Sequence, residues 1–201
     1  MSSIPVVVLG IKRANFKALQ TKNHFKKMGF KNVSIYYGLD IKKSNPDNIK
    51  KSQITSYNQM KILEENKDKP QLIIAEDDAR ITKQKELMIH LKKGIKGVDR
   101  LIWNYKKFQN NPKKKHTQNT GLVGYSNKGI KKVLEQDWKY GFYDQLLSQK
   151  TNEKVSGPFG FEYIYEKGSG TLHGDDNIFQ RSFQLSRMLD KGETDIPLSF
   201  K

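Results

Sequence analysis

Short apolar runs alternate along the chain with longer segments in which apolar residues recur every three or four positions. The runs have the length and composition of buried strands, and they cover residues 4–10, 32–37, 71–75, 100–104 and 121–125. The amphipathic segments predict helices at residues 12–28, 54–65, 86–95 and 128–136, with a helical turn at 142–147. This alternation is typical of an α/β fold, in which ligands bind at the carboxyl ends of the strands.

The chain shows no sign of division into separate domains. Strand, helix and strand follow one another within the first 40 residues, which predicts a parallel βαβ unit. We find no internal repeat and no sharp change in composition, so we expect one domain over residues 1–201. The polar, basic segment 106–119 predicts a loop, and the mixed segment from residue 181 predicts a final helix.

Composition excludes several classes of site. The 201 residues include no cysteine, which rules out a disulfide scaffold, a cysteine-ligated zinc site, an iron–sulfur cluster and a thiol nucleophile. No apolar run approaches the roughly 18 residues that span a bilayer. Residues 1–3 do not form the basic start of a signal peptide. We therefore expect a cytoplasmic protein without a transmembrane segment.

The net charge points to the kind of partner. Lysine and arginine number 37 against 21 aspartate and glutamate, a formal charge of +16. Such an excess favours a polyanionic partner, which is a nucleic acid, an anionic glycan or an acidic membrane surface. The alternative is a lysine-rich composition on an ordinary solvated surface.

The most distinctive local pattern is a group of three carboxylates, Glu76, Asp77 and Asp78, directly after an apolar strand. Carboxylates this close raise one another's pKa unless a cation lies among them. In an extended stretch Glu76 and Asp78 point the same way, and their oxygens are the ligands that Mg²⁺ and Mn²⁺ prefer. The alternative is an acidic helix N-terminus, which the helix dipole stabilises.

Two further groups are candidates for chemistry. His173 precedes Asp175 and Asp176, so it is placed to complete a metal shell or to orient a base, although Gly-Asp-Asp-Asn is also a common turn sequence. Asp144 lies between apolar residues, where a carboxylate acquires the raised pKa of a general base, but the residue is equally suited to cap a helix.

The order of these motifs resembles glycosyltransferase family 25, the lipopolysaccharide and collagen galactosyltransferases with a GT-A fold. Four features carry the resemblance. They are residues 6–13 with 33–40, the Ser56-Tyr57 pair in the place of a Ser-His pair, the stretch Leu-Ile-Ile-Ala-Glu-Asp-Asp-Ala at 72–79, and the strand, helix and Tyr-Asp-Gln-Leu-Leu element at 121–132 and 143–147. The sequence departs from the family at two points. Tyr57 replaces the family's histidine, and Asp40 is not followed by glycine.

The resemblance implies a single GT-A-like domain with a mixed sheet flanked by helices. Residues 4–125 would bind a nucleotide sugar and a metal, and residues 126–201 would form the acceptor side and a tail. It implies a UDP-sugar donor, Mn²⁺ or Mg²⁺, and inversion at the transferred sugar. The metal ligands would be Glu76, Asp78 and His173, and the donor-binding residues would be Lys12, Arg13, Asp40, Ser56, Tyr57 and Asp77. The catalytic base would be Asp144, with Asp175 or Asp176 as the alternative.

The charge bears on which acceptor the implied enzyme uses. Lysines lie beside aromatic residues in one segment, a mixture suited to phosphate contact and base stacking, at Lys106, Lys107, Lys113, Lys114 and Lys115. We narrowly favour transfer to hydroxymethylated bases of DNA, a viral type of modification that requires the base to be flipped out. The alternatives are transfer to lipopolysaccharide or another anionic glycan, and a non-catalytic basic nucleic-acid-binding protein on a degenerate transferase fold.

Overall fold

The computed structural model describes residues 2–40, 43–45, 48–50, 53–77, 79–81, 95–103, 121–139, 143–156 and 161–163. The strands are β1 (Val6–Gly10), β2 (Val33–Tyr37), β3 (Gln71–Glu76), β4 (Ala79–Ile81), β5 (Arg100–Trp103), β6 (Leu122–Ser126), β7 (Glu153–Ser156) and β8 (Phe161–Tyr163). The helices are α1 (Asn15–Lys27), α2 (Ile54–Glu65), α3 (Asn127–Leu134) and α4 (Tyr143–Lys150), and a 3-10 turn (Lys12–Ala14) precedes α1.

Six of the strands form one mixed sheet in the order β2-β1-β3-β6-β5-β7. β1 is parallel to both β2 and β3, and β5 is parallel to β7. β6 runs antiparallel between β3 and β5. β4 and β8 pair in a separate antiparallel ribbon. The carboxyl ends of β1, β2, β3, β5 and β7 therefore lie along one edge of the sheet, which we call the carboxyl edge.

Helices cover both faces of this sheet, and the alternation of side chains along β1 shows how. Val6 and Val8 belong to the cluster that includes Ala18 and Phe25 of α1. Their neighbours Val7 and Leu9 point to the opposite face, where a second cluster contains residues of α2 and α3. A strand buried on both faces needs an uninterrupted apolar run, which explains the first apolar run of the sequence.

The predicted α/β class and the mixed sheet flanked by helices are confirmed, as are the five predicted strands to within two residues. The predicted helices at 12–28, 54–65 and 128–136 are present as α1 with its 3-10 turn, α2 and α3, and the helical turn at 142–147 is the start of α4. The predicted loop at 106–119 and the predicted helix beyond 181 lie outside the described residues, as does the predicted helix at 86–95 apart from Ile95. No described helix combines the length and apolar character that crossing a membrane requires.

The sequence analysis missed three strands. β4, β7 and β8 are short and contain charged residues, so they carry none of the apolar runs that mark β1 and β3. The chain does not continue extended through all three carboxylates, because β3 ends at Glu76 and Asp77 lies in a turn before β4. Asp78 lies outside the described residues, so the expected placement of Glu76 and Asp78 on one side stays a prediction.

One buried carboxylate fastens the sheet edge opposite the carboxyl edge. Asp99 is 3% exposed, and its Oδ2 accepts hydrogen bonds from Lys132 Nζ at 2.6 Å and from the backbone N–H of Asn152 at 2.8 Å. These contacts join the start of β5 to α3 and to the start of β7. Burial by itself would raise the pKa of Asp99, but the two hydrogen bonds and the lysine charge outweigh it, and the pKa is lowered.

We expect Asp99→Asn to lower the free energy of unfolding by about 1–3 kcal/mol at neutral pH, because the ammonium and the N–H lose a charged acceptor. A carboxylate with a lowered folded pKa stabilises the protein above its unfolded pKa, near 3.9, and that contribution disappears as pH falls through the folded value. Thermal unfolding across pH 3–8 should therefore show a Tm gap between wild type and variant that closes in acid. The exposed Asp68, changed to Asn, is the matched control, and a gap that stays constant with pH would contradict the assignment.

Candidate functional site

The carboxyl edge has one position where the direction of chain crossing reverses. From β1 the chain crosses to β2 on one side, whereas β3 pairs on the other side of β1. In open α/β sheets, ligands bind in the crevice outside the strand ends at such a switch point. Tyr37 at the end of β2 pairs with Gly10 at the end of β1. On the other side of β1, Glu76 at the end of β3 pairs with Leu9. The acidic segment after β3 therefore lies beside the end of β1 at this crevice.

Gly10 controls how closely the neighbouring elements approach this crevice. A Cβ atom built on Gly10 would lie 2.8 Å from the Cβ of Ala18 in α1, which is too close for two carbon atoms. The same Cβ would lie 3.6 Å from Oδ2 of Asp77. Glycine is therefore required for α1 to pack against the end of β1, and the carboxylate of Asp77 points at the same spot.

The acidic segment is held on two sides. The hydroxyl of Thr21 in α1 donates a hydrogen bond to the backbone carbonyl of Asp77. The backbone N–H of Glu76 donates to the carbonyl oxygen of Gly121 at 2.8 Å, just before β6. Glu76 and Asp77 are both half-buried. Their backbone is therefore positioned by α1 and β6 together, which leaves two carboxyl groups at the mouth of the crevice.

An ion pair joins the ends of β1 and β2. Nε of Arg13, in the 3-10 turn after β1, lies 2.7 Å from Oδ2 of Asp40, three residues after β2. The two side chains are 24% and 10% exposed, so the pair is partly shielded from water but reachable. Lys12 is exposed beside it. Two residues that the sequence analysis assigned to donor binding are thus in direct contact.

Asn58, the neighbour of the predicted donor-side residues Ser56 and Tyr57, contacts the turn after β2 at the carboxyl edge. Oδ1 of Asn58 accepts a hydrogen bond from the backbone N–H of Leu39 at 2.8 Å. Tyr57 packs edge-on against Trp138, with ring centroids 5.1 Å apart. Ser56 is half-buried. The sequence offers one signal for Asn58, which is a polar residue among the buried apolar positions of α2.

The backbone places Asp144 toward the same edge. Nε2 of Gln53, just before α2, donates to the carbonyl oxygen of Lys139 at 2.7 Å, which ties the segment before α4 to the start of α2. At its other end α4 leads to Asn152, which is bonded to Asp99 at the opposite edge. Asp144 is the second residue of α4, so it belongs to the end of the helix nearer the carboxyl edge.

The remaining predicted site residues lie outside the described residues. They are Asp78, His173, Asp175, Asp176, Lys106, Lys107, Lys113, Lys114 and Lys115. Within the described part of the chain, no three metal-binding side chains come together. Glu76 and Asp77 supply carboxylate oxygens at the crevice, which is the donor chemistry that suits a hard divalent cation. These carboxylates fit the divalent metal that the resemblance implies. The full set of ligands to that metal stays a prediction.

Comparison with known proteins rests on the fold, since no protein-family model and no curated protein sequence matches the chain. An active-site mutant of LgtC superposes with a TM-score of 0.54 at 12% identity, covering 98% of this chain and 99% of that one. A putative glucose-1-phosphate thymidylyltransferase from Bacillus anthracis superposes with a TM-score of 0.52 at 9% identity, covering 98% and 97%. The fold is GT-A-like.

A further structure reaches a TM-score of only 0.49, too low to support an argument. It is a glycosyltransferase involved in the glycosylation of the major capsid of PBCV-1, 10% identical, covering 78% of this chain and 82% of that chain. The GT-A-like fold confirms the architecture that the resemblance implied. Membership of glycosyltransferase family 25 stays a prediction, because fold similarity at these identities does not assign a family.

We expect Gly10→Ala to lower the free energy of unfolding by about 1–3 kcal/mol, because the added methyl group overlaps Ala18 and forces α1 away from β1. Chemical denaturation measures the loss. The double variant Gly10→Ala/Ala18→Gly removes the overlapping methyl group, so the two changes together should cost less than the sum of their separate effects. Strictly additive losses would show that the overlap is not the cause.

Proposed function

We propose that this protein is a metal-dependent, inverting glycosyltransferase that uses a nucleotide sugar, in the first instance a UDP-sugar. The observation that carries the proposal is the acidic segment Glu76–Asp77 at the switch point of a GT-A-like sheet, held against Gly10 and the start of β6. Ligand crevices occur at this position in open α/β sheets, and carboxylates there suit a cation that binds a diphosphate.

In this proposal the pair formed by Arg13 and Asp40 receives the nucleotide part of the donor. The guanidinium group suits a phosphate oxygen, and the carboxylate suits a ribose hydroxyl or a donor group of the base. The 2.7 Å contact between them would set the distance between the group that binds phosphate and the group that binds the ribose or base. Lys12, which is exposed next to Arg13, adds a second positive charge for the diphosphate. Ser56, Tyr57 and Asp77 are the further donor-side residues that the sequence predicts.

Glu76 and Asp78, with His173, are the proposed holders of Mn²⁺ or Mg²⁺. A bound divalent cation would supply positive charge to the diphosphate as the sugar leaves. Asp77 faces the end of β1 and would remain on the donor side. The chain's own contribution is to bring Glu76 and Asp77 to the crevice on a backbone fastened by Thr21 and Gly121.

Inversion requires a base on the acceptor side of the sugar, and Asp144 is the proposed residue. The acceptor oxygen forms a bond to the anomeric carbon while the bond from that carbon to the phosphate oxygen breaks. The hydroxyl proton passes to the Asp144 carboxylate, and the nucleoside diphosphate leaves with the electron pair of the broken bond. Asp175 or Asp176 is the alternative base.

The proposed acceptor is polyanionic, with hydroxymethylated DNA narrowly favoured over lipopolysaccharide or another anionic glycan. β5 ends at Trp103 on the carboxyl edge, and Gly121 lies on the same edge beside Glu76. The basic segment between them, residues 104–120, therefore leaves and re-enters the described structure next to the crevice. Its lysines suit phosphate groups of an acceptor bound there.

We expect Asp78→Ala to abolish Mn²⁺-dependent hydrolysis of a UDP-sugar, because one of the two carboxylates that hold the cation is lost. The reaction is followed by release of UDP with and without Mn²⁺, and Asp68→Ala on the exposed turn after α2 is the control with normal activity. If the wild type neither binds Mn²⁺ nor hydrolyses any nucleotide sugar, the protein is the non-catalytic binding protein instead.

We expect the protein to bind duplex DNA with an affinity that falls steeply with salt, by about 10³–10⁵ between 50 and 200 mM if six to ten phosphates are contacted. Fluorescence anisotropy with a labelled duplex measures the slope. Changing Lys113, Lys114 and Lys115 together to Ala should flatten it, whereas the same change at the exposed Lys67 and Lys69, just after α2, should not. Affinity that does not vary with salt would reject the DNA acceptor and leave an anionic glycan.

A further inference from the structure

We infer that Asn58 is a positioning residue that holds the Gly38–Asp40 turn in the shape needed to bind the nucleotide of the donor. This inference rests on the proposed function and adds a residue that the sequence motifs did not identify. Asn58 lies on α2, whereas the turn follows β2, so the residue would act on the donor through the backbone of another element.

The contact between Asn58 and the turn is direct and closely packed. The Asn58 side chain is 1% exposed, and its Oδ1 accepts the backbone N–H of Leu39 at 2.8 Å. A Cβ atom built on Gly38 would lie 2.5–2.8 Å from the atoms of the Asn58 amide group. The turn therefore lies flat against the amide, and only glycine fits at residue 38.

Two other contacts anchor the same turn. The backbone N–H of Gly38 donates to the carbonyl oxygen of Gly10 at 2.9 Å, which joins the turn to the end of β1. Asp40, at the other end, is held by Arg13 at 2.7 Å. Asn58 holds Leu39, the middle residue of the turn, through the hydrogen bond from the Leu39 backbone N–H. Its loss would leave the Leu39 N–H without its acceptor and would allow Asp40 and Arg13 to shift together.

Helix stability alone does not account for an asparagine at this position. The neighbouring buried residues of α2 include Ile54 and Ile62, one turn before and one turn after Asn58, and both are fully buried. A leucine would continue that apolar stripe without the cost of burying an amide. Asn66, near the end of the same helix, instead uses its amide locally, donating to the carbonyl oxygen of Ile62 at 2.8 Å. The Asn58 oxygen is directed to the turn.

The test measures UDP affinity by calorimetry for the wild type, Asn58→Leu, Asp40→Ala and the double variant. We expect Asn58→Leu to weaken UDP binding about tenfold, the effect of losing one well-placed hydrogen bond. In the Asp40→Ala background the same substitution should change UDP affinity less than about twofold, because its effect passes through Asp40. Hydrolysis of a UDP-sugar should show raised KM with kcat nearly unchanged.

Controls separate this role from a loss of structure. Asn66→Ala removes an amide from the same helix and should leave UDP affinity unchanged. Gly38→Ala presses on the Asn58 amide from the opposite side and should weaken UDP binding as Asn58→Leu does, so a failure of one variant to fold leaves the other as the test. The inference alone is overturned if a folded Asn58→Leu or Gly38→Ala variant binds UDP with wild-type affinity. It is also overturned if Asn58→Leu weakens UDP binding as much in the Asp40→Ala background as in the wild type. A wild type that binds no nucleoside diphosphate overturns the proposed function as well.

Discussion

The close approach of three elements at Gly10 is the constraint on which the arrangement of the carboxyl edge depends. Ala18 of α1 packs where a side chain on Gly10 would be, Asp77 points at the same spot, and the Gly10 carbonyl accepts the N–H of Gly38. A larger residue at the end of β1 would separate all three. The absence of one side chain thus brings a helix, an acidic turn and the end of the neighbouring strand to one crevice.

The two edges of the sheet are built on different principles. At the edge opposite the crevice, the buried Asp99 is bonded to Lys132 and Asn152, and its lowered pKa shows that the carboxylate is stabilised in its charged form. At the carboxyl edge, Glu76 and Asp77 are half-buried, and their backbone is tied to Thr21 and Gly121. The opposite edge is thus joined through one buried carboxylate, whereas the carboxyl edge is joined through hydrogen bonds to the backbone and through the partly exposed Arg13–Asp40 pair.

The net charge of +16 and the acidic crevice are parts of one electrostatic arrangement. A basic surface raises the local concentration of any polyanion, whether donor diphosphate or acceptor. A cation bound by the acidic segment would let that anion approach carboxylates that would otherwise repel it. In the proposed function the positive surface selects the class of partner, whereas the small acidic segment determines the chemistry.

Much of the fold was predictable from the sequence because its signals are local. The apolar run of β1 and the glycine that ends it, the amphipathic period of α2, and the acidic segment after β3 each depend on neighbouring residues, and each was found in the structure. The short strands β4, β7 and β8 were missed because the ladder partners that define them lie elsewhere in the chain.

The site shows the same division. The sequence by itself determined that Glu76 and Asp77 lie at the end of a buried strand, and it marked Arg13 and Asp40 as candidates. Only the tertiary structure decided that Arg13 and Asp40 contact each other across 27 positions of sequence, and that Asn58 meets the turn after β2. The physical reason is that side-chain contacts depend on the orientation and spacing of packed elements, which long-range packing sets and local sequence does not encode.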